Sequence, residues 1–187
     1  MSALSNALIK VVSVLAMINS AVLWGGRQLA WMMIGLMVFV ILLQVFCRYV
    51  LNDALPWPEE AARGLMIWMM ALIAPSAYRW GGFVSITMFR DALPAVLGRI
   101  LSILLLVLAG IVLYILLGQA INHFNSGFMF KSSSLKIPLA WIYLAMTFCF
   151  GLMMSVNTEL LLRTIGRLIG NPEDFPLPVD PEVIGAE

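Results

Sequence analysis

The sequence predicts an all-α integral membrane protein: four transmembrane helices, N- and C-termini cytoplasmic, and an N-terminal amphipathic helix lying in the membrane plane. Three observations carry this. Of 187 residues, 62% are hydrophobic and only 11% are charged, against about 25% charged in a soluble domain. Mean hydropathy is +0.98. Four apolar runs reach or approach the roughly 20 residues needed to cross hydrocarbon. The net charge of +1 gives no basic footprint for nucleic acid.

Residues 1–26 form the first expected element. Ser2, Ser5, Asn6, Lys10, Ser13, Asn19 and Ser20 fall on one broad side at helical spacing. Leu4, Leu8, Val11, Leu15, Ile18 and Val22 fall on the other. That division suits a helix in the membrane interface. A fifth span joined by a turn at Gly25-Gly26 is the alternative. The first nine residues carry no Lys or Arg, so no cleavable signal pattern is present.

The four-helix domain covers residues 27–169, with spans expected near 28–50, 60–80, 97–122 and 137–160. The second has only a short apolar run between Arg63 and Arg79, so its flanking residues must complete it, with the arginines snorkelling to the interface. Pro75 within it frees a backbone carbonyl, giving either a static kink or a hinge. Gly81-Gly82 mark the turn after it, and Pro94 opens the third helix. On the third span, Gly110 and Gly118 offer close helix approach. On the fourth, Gly151 and Ser155 make a small-x-x-x-small pair. Residues 170–187 are rich in proline and acids and read as a disordered acidic cytoplasmic tail.

Orientation follows from Lys and Arg. Lys10, Arg27, Arg79, Arg90, Arg99, Arg163 and Arg167 fall on one side of the spans, and Arg48, Arg63, Lys131 and Lys136 on the other. The richer side is cytoplasmic by the positive-inside rule.

The span centres lack Asp, Glu, Lys, Arg and His, the residues that mark ion pathways and proton relays in membranes. The expectation is therefore no catalysis, no cofactor and no metal site in this chain. The single histidine, His123, cannot supply paired imidazoles to a haem. Cys47 and Cys149 sit at different depths, too far apart for a disulfide. The 13 methionines pack against helices and lipid rather than forming a soft-metal set.

Charge concentrates instead in residues 44–63, which hold Arg48, Asp53, Glu59, Glu60 and Arg63. Pro58 suits the first turn of the second helix. Glu59 and Glu60 then face the positive end of its dipole. Arg63 lies i+4 and i+3 from them, and Arg48 ends the preceding helix within their reach. The structural reading is a lock on the outer helix hairpin, and the functional one is a docking surface for a partner protein.

The order Phe46-x-Arg48-Tyr49, Asn52, Pro56-Trp57, Glu60, Arg63 resembles the small membrane subunit of tripartite ATP-independent periplasmic (TRAP) transporters. Arg79-x-Gly81-Gly82-x-Val84-x-Ile86 and Pro138-x-x-Trp141-x-Tyr143 extend the likeness over roughly residues 28–165. Ala74-Pro75-Ser76 departs from the Gly and Ala expected there. The resemblance implies a large membrane subunit as partner, which carries the substrate and sodium sites and moves as an elevator. It also implies a periplasmic binding protein that delivers an organic acid or similar solute. This chain would be a fixed brace in the bacterial cytoplasmic membrane, surrounded by lipid. In that setting Arg48, Tyr49, Asn52, Trp57, Glu60 and Arg63 would form the lock or partner interface. Asp53, Glu59, Lys131 and Lys136 would meet the binding protein. Pro75, Gly151 and Ser155 would serve helix packing. Two alternatives stay open: an accessory subunit of another membrane complex, such as a respiratory one, and a self-sufficient homo-oligomeric transporter or enzyme.

Overall fold

Four long helices are present in the structure, a computed structural model that describes residues 2–53, 55–81, 95–169, 175, 176 and 178. They are α1 (Ser2–Tyr49), α2 (Trp57–Arg79), α3 (Ala95–Ser126) and α4 (Ala140–Ile169), with a 3₁₀ turn at Gly127–Met129 after α3. Each is long and apolar enough to cross a membrane. The 23 residues of α2 span about 35 Å at roughly 1.5 Å per residue, against about 30 Å of hydrocarbon. It reaches that length by including Trp57 to Arg63, as its short apolar run requires. Gly82, Val84, Ile86, Arg90 and Pro94 lie outside the described residues.

The 48 residues of α1 run through Gly25 and Gly26 without interruption, so no turn separates the first 26 residues from the first span. Two interior glycines weaken a helix by about 1 kcal/mol each relative to alanine, but one of them has a packing use. A Cβ on Gly26 would stand 3.4 Å from the Leu72 carbonyl oxygen, whereas one on Gly25 would meet nothing within 4 Å. Gly26 therefore marks close approach of α1 to α2 rather than a turn.

Burial is inverted relative to a water-soluble bundle. Large apolar side chains face outward along α1 (Met17, Trp24, Trp31, Met32, Phe39, Leu42) and along α3 (Leu104, Leu108, Ile111, Ile115). Inside, small and polar residues (Ala30, Ala71, Ala120, Ala145, Ser76, Asn19, Asn157 and Glu159) lie among a few larger apolar ones such as Leu23 and Leu72. Lipid tails are as apolar as leucine, so helices in a bilayer associate through close packing of small residues and through polar contacts. The inversion fits a multi-pass membrane protein.

Contacts group the chain into two compact units, and every long helix contributes to both. The first comprises Met1–Val22, Pro75–Ile115 and Leu152–Glu187. Its buried apolar residues are Val12, Tyr78, Leu113, Val156 and Phe175. Pro75 and Ser76 are fully buried, and α2 stays helical through the proline. Part of the expected free tail is docked here. Phe175 is 2% exposed against Gly166, where an added Cβ would fall 2.7 Å from its ring. The Arg163 guanidinium also donates to the Pro176 carbonyl. The other tail residues, apart from Pro178, lie outside the described residues.

The second unit comprises Leu23–Ala74 and Leu116–Gly151. Trp68 donates its indole N–H to the Trp141 carbonyl at 3.2 Å and lies tilted against Phe148. His123 lies tilted against Tyr143 at 6.0 Å between ring centres. A Cβ on Gly127 would strike the Ala140 backbone at 2.7 Å, so only glycine lets the turn after α3 pass the start of α4. Cys47 and Cys149 are both free.

Candidate functional site

The charged loop between α1 and α2 is built from its helix ends. Three residues past the end of α1, Asn52 takes the left-handed region (φ 51°), while the Asp53 N–H donates back to the Cys47 carbonyl at 3.2 Å. Asparagine tolerates this conformation better than most residues. Asn52 thus has a local structural task as a helix stop. On the other side of the loop, Pro58 lies in the first turn of α2 and is fully buried.

The expected lock forms only in part. Arg63 pairs with Glu59 at 3.3 Å, and both side chains are well exposed. Arg48 lies over the ring of neighbouring Tyr49, 5.9 Å from its centre, rather than reaching either carboxylate. Glu60 points elsewhere. Its Oε2 accepts the backbone N–H groups of Ser134 at 3.0 Å and Leu135 at 3.2 Å. Two adjacent amides on one carboxylate oxygen make a charge-assisted clamp. That clamp ties the start of α2 to the link between α3 and α4, not to the end of α1.

The link so held is a small hairpin. Ser132 N–H donates to Ile137 O at 2.9 Å and Leu139 N–H to Phe130 O at 3.0 Å, and Lys131 pairs with Pro138 in an antiparallel bridge. Lys136 sits at φ 55°, in the left-handed region. The other residues read as docking groups, Asp53, Glu59, Lys131 and Lys136, are exposed, while Trp57 is half-buried.

A second polar constellation, in the first unit, was not assembled from the sequence. Glu159 is 0% exposed. Its Oε1 accepts from Arg79 at 2.8 Å and from Arg163 Nε at 3.0 Å. Its Oε2 accepts from Asn19 Nδ2 at 2.7 Å. Arg79 also donates to Ser20 Oγ at 2.7 Å and to Ala16 O at 3.3 Å. Ser155 Oγ donates to Asn19 Oδ1 at 2.8 Å. Two residues before Glu159 on α4, Asn157 Oδ1 accepts from the Tyr78 hydroxyl at 2.7 Å, and Asn157 Nδ2 donates to Leu106 O at 3.2 Å. The seam therefore bonds all four helices within this unit.

The polar side of residues 1–26 is thereby partly claimed by protein, with Asn19 and Ser20 turned to partners on α2 and α4. Of the small residues proposed for packing, Ser155 belongs to the seam. Gly110 does too, since an added Cβ there would stand 2.9 Å from Asn157 Nδ2. Gly118 and Gly151 have nothing within 4 Å of the Cβ position and make no such approach among the described residues. The signals available in the sequence were Arg79 with Glu159 at matching ends of their spans, and Glu159 with Arg163 at i,i+4.

Among the described residues, no three His, Cys, Asp or Glu side chains gather as a metal site. What both constellations do chemically is fix helix ends and helix pairs.

Comparison with known proteins places this architecture. Residues 37–167 match the family model described as tripartite ATP-independent periplasmic transporters, DctQ component. The chain is also 30% identical over 133 residues to the sialic acid TRAP transporter small permease protein SiaQ of Vibrio cholerae serotype O1, covering 70% of this chain and 76% of that protein. With its four apolar helices and a family match over most of its length, the chain belongs to the DctQ component family and is a small membrane subunit of a TRAP transporter.

Proposed function

We propose that this subunit is the fixed brace of its transporter, enlarging the scaffold against which a large, sodium-coupled subunit carries its substrate by an elevator motion. The observation that carries this reading is how the polar groups are used. Arg79, Glu159, Arg163, Asn19 and Asn157 are occupied in holding the chain's own helices, while large apolar side chains face outward along α1 and α3. Polar groups satisfied within the chain and an apolar exterior suit a scaffold. The sodium and substrate sites belong to the large subunit, and this chain carries no cofactor.

The subunit lies in the bacterial inner membrane with both termini in the cytoplasm, on the strength of the Lys and Arg distribution. Its α1 helix is about 72 Å long at roughly 1.5 Å per residue, more than twice the hydrocarbon thickness. The excess, towards the N-terminus, extends past the hydrocarbon on the cytoplasmic side, because α1 continues without a turn. On the opposite face, the Glu60-held hairpin presents Lys131 and Lys136, with Asp53 nearby in sequence to the second helix, to a periplasmic binding protein. The named substrate of the Vibrio cholerae relative favours an acidic solute such as sialic acid.

The test is to tag the chain, extract it gently from native membranes and identify what copurifies. A large many-span subunit in near-equal amount supports the brace. Recovery of the chain alone, able to transport when reconstituted, overturns it. Glu60→Ala is expected to weaken assembly or uptake. Charge reversal at Lys131 and Lys136 is expected to weaken delivery with the complex intact.

A further inference from the structure

We propose a binding site for an anionic phospholipid headgroup at Arg99 and Arg167. The two residues lie on neighbouring helices, near the start of α3 and the end of α4. The Arg99 guanidinium donates to the Arg167 backbone carbonyl at 3.3 Å, which brings these two helix ends together within one compact unit.

Their charge is what singles them out. The other two arginines of that unit described in the structure, Arg79 and Arg163, share Glu159. None of the ion pairs among the described residues includes Arg99 or Arg167. Both side chains are half-buried, not fully solvated. Two arginines on adjoining helix ends, with no ion pair among the described residues, make a strong demand for an anion, and the planar donor fork of arginine matches phosphate oxygens.

Position selects the kind of anion. Arg99 is the third residue of the apolar stretch Leu97–Met129, and Arg167 is the last but one of Ala140–Leu168. Both therefore sit where hydrocarbon gives way to headgroups. Beside them, Leu97, Ile100 and Leu168 are 52%, 52% and 44% exposed. Along α3 the exposed strip continues through Leu104, Val107, Leu108 and Ile111 at helical spacing. From Leu97 to Ile111 it runs about 21 Å at roughly 1.5 Å per residue, longer than the depth of one leaflet, about 15 Å. A phosphodiester on the arginines with acyl chains along this strip satisfies the charge and the apolar surface together. A soluble phosphate satisfies only the first. Basic sites between transmembrane helices recognise anionic headgroups in this way.

The experiment is native mass spectrometry of the purified complex, titrated with phosphatidylglycerol and, separately, with phosphatidylcholine. Wild type is expected to retain phosphatidylglycerol preferentially. Arg99→Gln with Arg167→Gln is expected to weaken its retention about 30-fold, taking about 1 kcal/mol per surface charge and 1.4 kcal/mol per tenfold. Arg99→Lys with Arg167→Lys keeps the charge and the preference, which separates headgroup binding from misfolding. Lys10→Gln, elsewhere on the same unit, leaves retention unchanged. Equal retention of the two lipids by wild type, unchanged retention in the double glutamine variant, or displacement by inorganic phosphate at equal excess would each overturn the proposal.

Discussion

Replacing Glu159 with glutamine removes one charge and almost no volume, which makes it the sharpest perturbation of the buried seam. The carboxylate is fully buried, and the arginine side chains that share it are 9% and 11% exposed. Glutamine can keep one acceptor for Arg79. Its new NH₂ group would face the Asn19 Nδ2 donor, 2.7 Å from Glu159 Oε2. Rotating the Asn19 amide by 180° relieves that clash, because Ser155 Oγ can accept as well as donate. Hydrogen bonding is therefore recoverable, whereas the counter-charge for two buried guanidiniums is not.

Removing one partner of a buried ionic cluster typically costs about 3–5 kcal/mol, whereas replacing the whole cluster with apolar residues of similar size is often near neutral. Glu159→Gln is thus expected to destabilise the purified chain by about 3 kcal/mol, a factor of about 150 in the folded-to-unfolded ratio. The triple variant Arg79→Met, Glu159→Met, Arg163→Leu is expected to lose much less. Equilibrium unfolding in mixed detergent micelles, followed by tryptophan fluorescence, measures both. A loss below about 1 kcal/mol for Glu159→Gln, or a triple variant at least as damaged as the single, would mean that the buried guanidiniums do not depend on the Glu159 charge.

Further predictions concern backbone geometry. Gly127→Ala places a methyl group 2.7 Å from the Ala140 backbone and is expected to destabilise by about 1–3 kcal/mol. Gly118→Ala, where nothing lies within 4 Å, is expected to be neutral or to stabilise by up to about 1 kcal/mol, and thermal unfolding midpoints separate the two. Asn52→Val forces a β-branched residue into a positive-φ site and is expected to cost about 1–2 kcal/mol, while Asn52→Gly is tolerated. Glu60→Gln leaves the Ser134 and Leu135 amides with a weaker acceptor, so their hydrogen exchange is expected to accelerate while amides in the middle of α4 are unchanged.

Some of this architecture is written locally. Four spans follow from composition and run length, and the Glu59–Arg63 pair follows from i,i+4 spacing, because both depend on neighbours along one helix. Pro58 at the start of α2 and Gly81 after its end, at φ 81°, follow from the backbone preferences of single residues. Where reading by neighbours failed, a partner from a distant segment had intervened. Glu60 looked committed to Arg63 and Arg48 but is held by two amides more than 70 residues away. The turn at Gly25-Gly26 that the alternative fifth span needed does not form: α1 runs on unbroken, and Gly26 lies against the Leu72 carbonyl.

Composition, run length and the residue 44–63 motif were enough to place this protein in a bilayer, to count four candidate spans and to show the family resemblance. That Glu159, 140 residues from Asn19, is the point where α1, α2 and α4 meet becomes visible only once the chain is folded. The cause is the solvent. In water, an apolar stripe reports which face of a helix turns inward. In hydrocarbon every face is apolar, so the rotation of each helix is set by a few polar residues finding one another across the bundle.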